Sequence, residues 1–221
     1  MKGVLFDLDG VITDTAQLHF KAWSAVAKND LDISLPANFE NDLKGISRTD
    51  SINRILDFAG KADQFSSAEI ETMLDKKNTY YLKEMDKLDN NDIFPGITNL
   101  LDQLKQAGIL LSIASASKNA PAVLTKIGLI DKFDAIADPS KVAHGKPAPD
   151  IFIEAARKIN LDPHECIGLE DAAAGVQSIK SANAIAVGIG NSSVLSKADK
   201  VVPSTDYLSL SLLENVYNSV K

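Results

Sequence analysis

The chain alternates short β-rich runs with amphipathic stretches, and this alternation restricts the possible folds more than any other feature. Each β-rich run ends in turn-forming or polar residues; the runs span residues 4–10, 109–117, 133–138, 166–171 and 184–190. Stretches with apolar residues three and four positions apart, as in helices, span 98–108, 119–129, 149–161 and 172–183. Such alternation of strands and helices is typical of a parallel sheet with helices on both faces. We predict an α/β fold with a Rossmann-like, doubly wound parallel sheet in the strand order 3-2-1-4-5.

Residues 14–92 interrupt this alternation. They contain helical patterns that are rich in charge, at 16–29, 50–60 and 67–88, and no convincing strand. The segment NNDIFPG, residues 90–96, then returns to turn-forming residues. We therefore predict an α/β core domain formed by residues 1–13 and 93–221, with an inserted α-helical cap domain at residues 14–92.

Composition excludes several classes of protein. With 221 residues and 45% hydrophobic content, the chain is long enough to bury a large core. Its 30 acidic and 23 basic residues give a net charge of −7, which repels a polyanion and argues against general nucleic-acid binding. A small anion remains a possible ligand of a local site.

Cysteine content and hydropathy indicate the compartment. The single cysteine, Cys166, excludes a disulfide within the chain, and its neighbours ECIGLED indicate a small core residue in a buried strand. Asp7 and Asp9 interrupt the first apolar stretch, and no run of about 18 apolar residues follows. We predict a cytoplasmic protein with no membrane partner.

Acidic and hydroxyl side chains stand where three of the predicted strands end. Asp7 and Asp9 follow the first strand, Ser115 ends the second, and Glu170 and Asp171 end the fourth. In the predicted order, strands 2 and 4 flank strand 1, so these residues share the carboxyl edge where sites in such sheets form. Ionised carboxylates cluster only around a cation, and oxygen ligands suit magnesium. The sequence therefore predicts a Mg²⁺ site at this edge.

Lys146, in the segment HGKPAPD, is a candidate positive partner for an anion. It follows the third predicted strand and precedes a helix, so its ammonium reaches the same edge. Together with a divalent ion, the Ser115 hydroxyl and backbone amides at Leu8 and Ala116, it forms a predicted phosphate site. An aspartate placed beside that phosphate is a candidate nucleophile.

Four segments, in order and spacing, resemble the motifs of the haloacid dehalogenase superfamily: FDLDGVITDT, SIASASKN, GKPAPD and GLED. They span residues 6–171, and thus the whole predicted core. The resemblance implies phosphoryl transfer through an aspartyl phosphate. The helical segment after the first motif resembles the cap of the branch that contains beta-phosphoglucomutase. Further similarity to that branch lies in DTAQLHFKAW, LKGISRTDS, ASASKN and GLEDAAAGVQ.

The resemblance implies a role for each motif residue. Asp7 is the expected nucleophile and Asp9 the expected general acid and base. The expected magnesium ligands are Asp7, the Asp9 carbonyl, Glu170 and Asp171, and the expected phosphate-binding residues are Leu8, Ser115, Ala116 and Lys146. Substrate contacts are expected from Thr15, His19, Gly45, Ser47, Arg48, Ser51 and Lys77 in the cap, and from Ser117, Lys118 and Asn119 in the core.

The reaction implied by the resemblance interconverts beta-D-glucose 1-phosphate and glucose 6-phosphate. Phosphorylated Asp7 donates to beta-glucose 1-phosphate, and the beta-glucose 1,6-bisphosphate that forms returns its other phosphate to Asp7. The expected cofactors are Mg²⁺ and the same bisphosphate as activating phosphoryl donor. A small sugar phosphate is the expected partner, and we expect a monomer.

Three functions remain open on the residues alone: a sugar-phosphate mutase, a phosphatase of the same superfamily, and a catalytically idle phosphate-binding regulator. The presence of Asp7, Asp9, Ser115, Lys146, Glu170 and Asp171 disfavours the regulator. Mutase and phosphatase share these residues, so only the cap separates them, and Arg48 in LKGISRTDS favours the mutase. His144 and Gly145 depart from the family pattern, and a glycine beside Lys146 is expected to loosen that lysine.

Overall fold

The computed structural model describes residues 1–220, and its centre is a parallel sheet of six strands. In chain order these are β1 (Gly3–Phe6), β2 (Leu110–Ile113), β3 (Ala135–Ile136), β4 (Cys166–Glu170), β5 (Ile185–Ile189) and β6 (Lys200–Val202). Across the sheet they lie in the order β3-β2-β1-β4-β5-β6, and every neighbouring pair is parallel. The predicted order of the first five strands is confirmed. The prediction lacks β6, because this edge strand has three residues and begins with an exposed lysine.

Helices connect the strands and form the segment between β1 and β2. They are α1 (Ala16–Leu31), α2 (Glu40–Leu43), α3 (Arg48–Phe58), α4 (Ser67–Met85), α5 (Ile97–Gln106), α6 (Ala120–Lys126), α7 (Asp150–Lys158), α8 (Ala173–Ser181) and α9 (Leu210–Val220). Helices α5 to α8 correspond to the four helical stretches predicted between strands. The prediction lacks α2, which is a single turn, and α9, although the apolar spacing of Leu213 and Val216 carried the helical signal.

The sheet is buried on both faces because its side chains alternate between two hydrophobic clusters. In β1, Val4 and Phe6 pack with α5, α6 and α9, whereas Leu5 packs on the opposite face with α7 and α8. A strand covered on both sides has no solvent-facing positions, so its sequence is continuously apolar. The run that precedes Asp7 therefore ends in the interior of the protein.

Residues 14–92, which we call the helical insert, have a hydrophobic cluster of their own. It contains Trp23 and Val26 of α1, Ile52 and Ile55 of α3, and Leu74 of α4, and all its members come from the insert. The insert also packs against the core: Ala22, Tyr81 and Met85 belong to the cluster that covers one face of the sheet. The insert thus has its own hydrophobic cluster and joins the core through a second one.

Candidate active site

Three carboxylates meet at the carboxyl edge of the central strands. Phe6 of β1 lies in register with Leu169 of β4, so the following residues, Asp7 and Glu170, lie side by side. One oxygen of each carboxylate in the group Asp7, Glu170 and Asp171 lies within 4.8 Å of the others. Asp7 and Glu170 are buried. Hard oxygen donors at this spacing fit a Mg²⁺ ion.

Two glycines make room for these carboxylates. A Cβ on Gly175, in the first turn of α8, would lie 1.9 Å from Glu170 Oε2. Gly10 has φ +79°, and a Cβ there would lie 2.1 Å from Asp171 Oδ2. Any side chain at either position would displace a candidate metal ligand. Neither glycine was among the predicted site residues, although both stand inside motif segments, FDLDG and EDAAAG.

Lys146 is wholly buried between two of the carboxylates. Its Nζ lies 2.9 Å from Asp7 Oδ1 and 2.8 Å from Glu170 Oε2, and 5.0 Å from the centre of the Phe152 ring. Burial alone would lower the pKa of Lys146, but the two carboxylates outweigh burial and raise it above its usual value. The lysine therefore stays charged and offsets part of the negative charge, and the remainder is what a divalent cation neutralises.

The loop before Lys146 runs against the insert. A Cβ on Gly145 would lie 3.3 Å from Ser47 Cβ and 3.4 Å from Asp50 Oδ2, at the start of α3. The backbone N–H of His144 donates to Asp150 Oδ2 at 3.1 Å. The unexpected glycine thus permits close approach of the insert, while Lys146 itself is held by its two ion pairs.

Asp9 lies between this carboxylate cluster and the insert. The backbone N–H of Gly10 donates to the Thr13 carbonyl at 2.9 Å and closes a tight loop directly after Asp9. Burial first, and then the charges of Asp7 and Asp171, raise the pKa of Asp9 to about 8. Within residues 1–220, Asp9 Oδ1 has no hydrogen-bond partner. A carboxyl group that readily holds a proton is therefore placed beside Asp7.

The end of β2 presents the predicted phosphate-binding residues. Ser115 is buried, and its Oγ accepts a hydrogen bond from the Ser117 backbone N–H at 3.0 Å. Ala116 faces the cavity described below. The Leu8 side chain packs in the hydrophobic core, and its carbonyl accepts from the Ile12 backbone N–H at 2.9 Å. Only the backbone of Leu8 is therefore placed near the site.

A cavity of about 930 Å³ lies between the insert and the core. Most residues predicted for the site line it: Asp7, Asp9, His19, Gly45, Ser47, Arg48, Ser51, Lys77, Ala116, Ser117, Lys118, Lys146 and Asp171. Those that do not line it are Leu8, Thr15, Ser115, Asn119 and Glu170. Lys44, which was not among the predicted site residues, also lines the cavity and belongs to the LKGISRTDS segment. The cavity is large enough for a small organic ligand.

Lys77 is a buried cation on the insert side of this cavity. Its Nζ contacts His19 Nδ1 and lies 5.3 Å and 4.8 Å from the ring centres of Trp23 and Tyr81. Burial, followed by the charge of Arg48, lowers the pKa of Lys77 to about 7. If Lys77 donates to Nδ1, the proton of neutral His19 is at Nε2, which lies 3.9 Å from Asp9 Oδ2.

Arg48, at the start of α3, is the second cation on the insert side. Its Nη2 donates to Asn78 Oδ1 at 3.0 Å. Within residues 1–220 it has no carboxylate partner within 4.0 Å, so its charge is not cancelled by an ion pair. Half-burial lowers the pKa of Arg48, while Asp75 and Glu71 counteract this change. An uncompensated guanidinium facing a cavity suits an anionic ligand.

A protein-family model, that of the haloacid dehalogenase-like hydrolases, matches residues 1–183 of this chain. The chain belongs to this family. It is 44% identical over 221 residues to a beta-phosphoglucomutase of Bacillus subtilis, covering 100% of this chain and 97% of that protein. A crystal structure of beta-phosphoglucomutase from Clostridium difficile superposes with a TM-score of 0.97 at 45% identity, covering 100% of this chain and 98% of that one. A fructose-1-phosphate phosphatase of Escherichia coli is 31% identical over 85% of this chain and 95% of its own length.

Haloacid dehalogenase-like hydrolases therefore include relatives of this chain that are named as mutases and others that are named as phosphatases. The fold of the family, with its parallel sheet, agrees with the α/β fold that the sequence predicted. Among the helices of residues 1–220, none combines the length and the apolar character that a membrane span requires.

Proposed function

We propose that this protein interconverts beta-D-glucose 1-phosphate and glucose 6-phosphate, as a Mg²⁺-dependent phosphomutase. The observation that carries the proposal is the cavity, because two places suited to a phosphate face it from opposite sides. The core side holds Asp7 beside Lys146, and the insert side holds Arg48 and Lys77. A substrate that carries one phosphate, and an intermediate that carries two, both match this arrangement. The similarity to two beta-phosphoglucomutases over the whole chain supports the choice of sugar.

We assign Asp7 as the nucleophile. It attacks the phosphorus atom and becomes an aspartyl phosphate, while the bond between phosphorus and the sugar oxygen breaks. The Lys146 ammonium, 2.9 Å from Asp7 Oδ1, and the Ser115 and Ala116 loop hold the transferring phosphate. A Mg²⁺ ion, held by Asp7, Glu170, Asp171 and the Asp9 carbonyl, would supply further stabilisation of the negative charge that develops on the phosphoryl oxygens.

Asp9 is the proposed general acid and base. Its raised pKa, about 8, means that near neutral pH the carboxyl readily carries a proton that it gives to the leaving sugar oxygen. After that transfer the carboxylate accepts a proton from the sugar hydroxyl that attacks phosphorylated Asp7. His19 Nε2 lies 3.9 Å from Asp9 Oδ2, beyond hydrogen-bond distance, so His19 faces Asp9 without fixing it.

Two transfers then complete the cycle. Phosphorylated Asp7 gives its phosphoryl group to the 6-hydroxyl of beta-glucose 1-phosphate, which yields beta-glucose 1,6-bisphosphate. This intermediate turns over in the cavity and returns its C1 phosphate to Asp7, which releases glucose 6-phosphate. In this cycle the distal phosphate lies against Arg48, and free beta-glucose 1,6-bisphosphate activates the enzyme by phosphorylating Asp7.

We also propose that residues 14–92 act as a cap domain on a core of residues 1–13 and 93–221. The insert has its own hydrophobic cluster and supplies one wall of the cavity. Its predicted substrate contacts are Thr15, His19, Gly45, Ser47, Arg48, Ser51 and Lys77, and those of the core are Ser117, Lys118 and Asn119. A cap that closes over the sugar excludes water, which favours the sugar hydroxyl as phosphoryl acceptor.

The remaining assignments concern the setting of the reaction. We propose that the protein works in the cytoplasm as a monomer, with a sugar phosphate as its partner and no nucleic acid. Its one cysteine, Cys166, is buried and free, and burial, followed by the charges of Glu165 and Asp162, raises the pKa of the thiol to about 12. Such a thiol is inert, which suits a structural role.

The deciding experiment mixes the protein with beta-glucose 1-phosphate, Mg²⁺ and a trace of beta-glucose 1,6-bisphosphate, and follows the products by phosphorus NMR. Glucose 6-phosphate as the main product supports the mutase. Inorganic phosphate as the main product would instead support a sugar-phosphate phosphatase, the activity for which the Escherichia coli relative is named.

A further inference from the structure

We propose that Asn78 is a positioning residue that holds Arg48 in place without neutralising it, so that the guanidinium keeps its charge for the phosphate that is not being transferred. This inference rests on the proposed function, because it assigns a purpose to the insert side of the same cavity. Neither the motifs nor the family resemblance pointed to Asn78.

One oxygen atom of Asn78 joins three parts of the molecule. Asn78 lies on α4, and its Oδ1 accepts a hydrogen bond from Arg48 Nη2 of α3 at 3.0 Å. The same Oδ1 accepts from Asn119 Nδ2, at the start of α6 in the core, also at 3.0 Å. A carbonyl oxygen has two lone pairs, and both are used here. The amide thereby fixes the insert arginine relative to the core loop that carries Ser115 to Asn119.

Asn78 acts through Arg48 rather than on the ligand itself. Arg48 lines the cavity, whereas Asn78 and Asn119 do not. Both hydrogen bonds of Asn78 Oδ1 are partly buried, so solvent competes weakly for them. A long, flexible arginine gains most from such support, because the support reduces the rotamer entropy that binding would otherwise cost.

The chemical type of residue 78 matters as much as its position. An amide oxygen accepts from the guanidinium but carries no net charge. A carboxylate of the same shape would accept the same two hydrogen bonds and form an ion pair with Arg48, which would compete with a phosphate for the guanidinium. Replacement of Asn78 by aspartate therefore separates two possible roles. If Asn78 only tethers Arg48, the aspartate variant keeps its activity. If Asn78 must also stay neutral, the aspartate variant loses activity.

The test compares Asn78→Asp and Asn78→Ala with Asn29→Asp. Asn29 is an exposed residue of α1 that donates to Tyr80 Oη, so the control adds the same charge to the insert away from the cavity. Two reactions are measured: kcat/KM for beta-glucose 1-phosphate with Mg²⁺, and labelling of Asp7 by acetyl phosphate, which has no second phosphate.

We expect Asn78→Asp to lower kcat/KM by roughly 10- to 100-fold, mainly through KM, since a charge-assisted contact of Arg48 is lost. Asn78→Ala should lower it less, Asn29→Asp should leave it unchanged, and all three should label normally. In an Arg48→Ala background, Asn78→Asp should have little further effect, because both changes remove the same contact.

Equal losses in the Asp and Ala variants, or no loss in the Asp variant, would overturn the inference. Thermal unfolding of each variant identifies a loss caused by misfolding, and if Asn78→Ala fails to fold, the Asp variant of the same shape still decides the question through the Arg48→Ala background. If the wild-type protein releases inorganic phosphate instead of glucose 6-phosphate, the proposed function fails, but the same comparison, scored on phosphate release, still tests Asn78.

Discussion

The two walls of the cavity differ in how their charges are paired. On the core wall, one carboxylate oxygen each of Asp7, Glu170 and Asp171 lies within 4.8 Å of the others. Lys146 forms ion pairs with Asp7 and Glu170. On the insert wall, which we define as Arg48, Lys77 and His19, the supports are neutral: Asn78 for the arginine, and His19 with two aromatic rings for the lysine.

This difference separates chemistry from binding. The core wall keeps excess negative charge at fixed strand ends, which suits a divalent cation and a nucleophilic carboxylate. The insert wall keeps its positive charge free of ion pairs, which suits a phosphate that arrives with the substrate. Asp75 and Glu71 act on Arg48 only from beyond ion-pair distance. Substitutions in the two walls should therefore affect different measurements.

The largest effect is expected from Asp7→Asn on the core wall. An amide does not attack phosphorus, so the variant should lose both sugar turnover and labelling by acetyl phosphate, which intact mass spectrometry detects as an added phosphoryl group. Asp63→Asn, at an exposed site in the insert, is the matched control and should behave as wild type. Normal labelling of Asp7→Asn would place the nucleophile elsewhere and remove the chemical role of the core wall.

Asp9→Asn should have the next largest effect. General acid and base catalysis contributes roughly 10²- to 10⁴-fold, so sugar turnover should fall by about that factor. Magnesium affinity, measured by titration calorimetry, should change little, since the proposed ligand at this position is the main-chain carbonyl. A large loss of magnesium affinity with little loss of turnover would make Asp9 a metal ligand through its side chain.

Arg48→Ala tests the insert wall. Loss of a charge-assisted contact should lower kcat/KM for beta-glucose 1-phosphate by roughly 10- to 150-fold, while labelling of Asp7 by acetyl phosphate should be unaffected. Arg157→Ala removes an exposed arginine that pairs with Glu154 and serves as control. Equal losses in both reactions would mean that Arg48 supports the core wall or the fold, and the contrast between the walls would then break down.

The smallest effect concerns the stability cost of Lys77. Burial lowers its pKa from 10.5 to about 7 in the folded chain. Between these values the unfolded chain binds more protons, so this group makes stability rise with pH, and its penalty is fully present below pH 7. Lys77→Met should therefore raise the free energy of unfolding at pH 6 by at least about 1.4 kcal/mol, the equivalent of one pKa unit.

Urea unfolding at pH 6 and pH 9 measures this effect, and the gain should shrink at the higher pH. Lys83→Met, at an exposed position on the same helix, should give no such gain. A gain of the same size at both pH values would show that Lys77 binds its proton equally in the folded and unfolded chain, and thus that burial does not lower its pKa. Turnover of beta-glucose 1-phosphate should fall in Lys77→Met despite the added stability.

Much of the core wall was predictable from the sequence. Asp7, Ser115 and Glu170 each follow or end an apolar run, and the alternation of runs and helices placed these ends on one edge. The sixth strand was not predictable in the same way, because three residues beginning with Lys200 carry little periodic signal. Helix α9 did carry the signal, in Leu213 and Val216, and could have been predicted.

The insert wall was harder to predict from the sequence. Arg48 and Lys77 were placed on the site by resemblance alone, because charged residues on helices are usually solvated. Asn119 was predicted to contact substrate, yet here it does not line the cavity and donates to Asn78. Asn78 had no signal at all, since one asparagine in the interior of a charged helix resembles any exposed residue.

The sequence by itself determined the parallel sheet, the order of its first five strands, the helical segment between β1 and α5, and the acidic ends of the central strands. These features depend on spacing over a few residues and on the geometry that every parallel sheet shares. Tertiary structure alone decided which neutral groups support Arg48 and Lys77, and how closely Gly10 and Gly175 approach the carboxylates. The Asn78 contacts join residues 30 and 41 positions apart, and such contacts exist only after separate helices have packed.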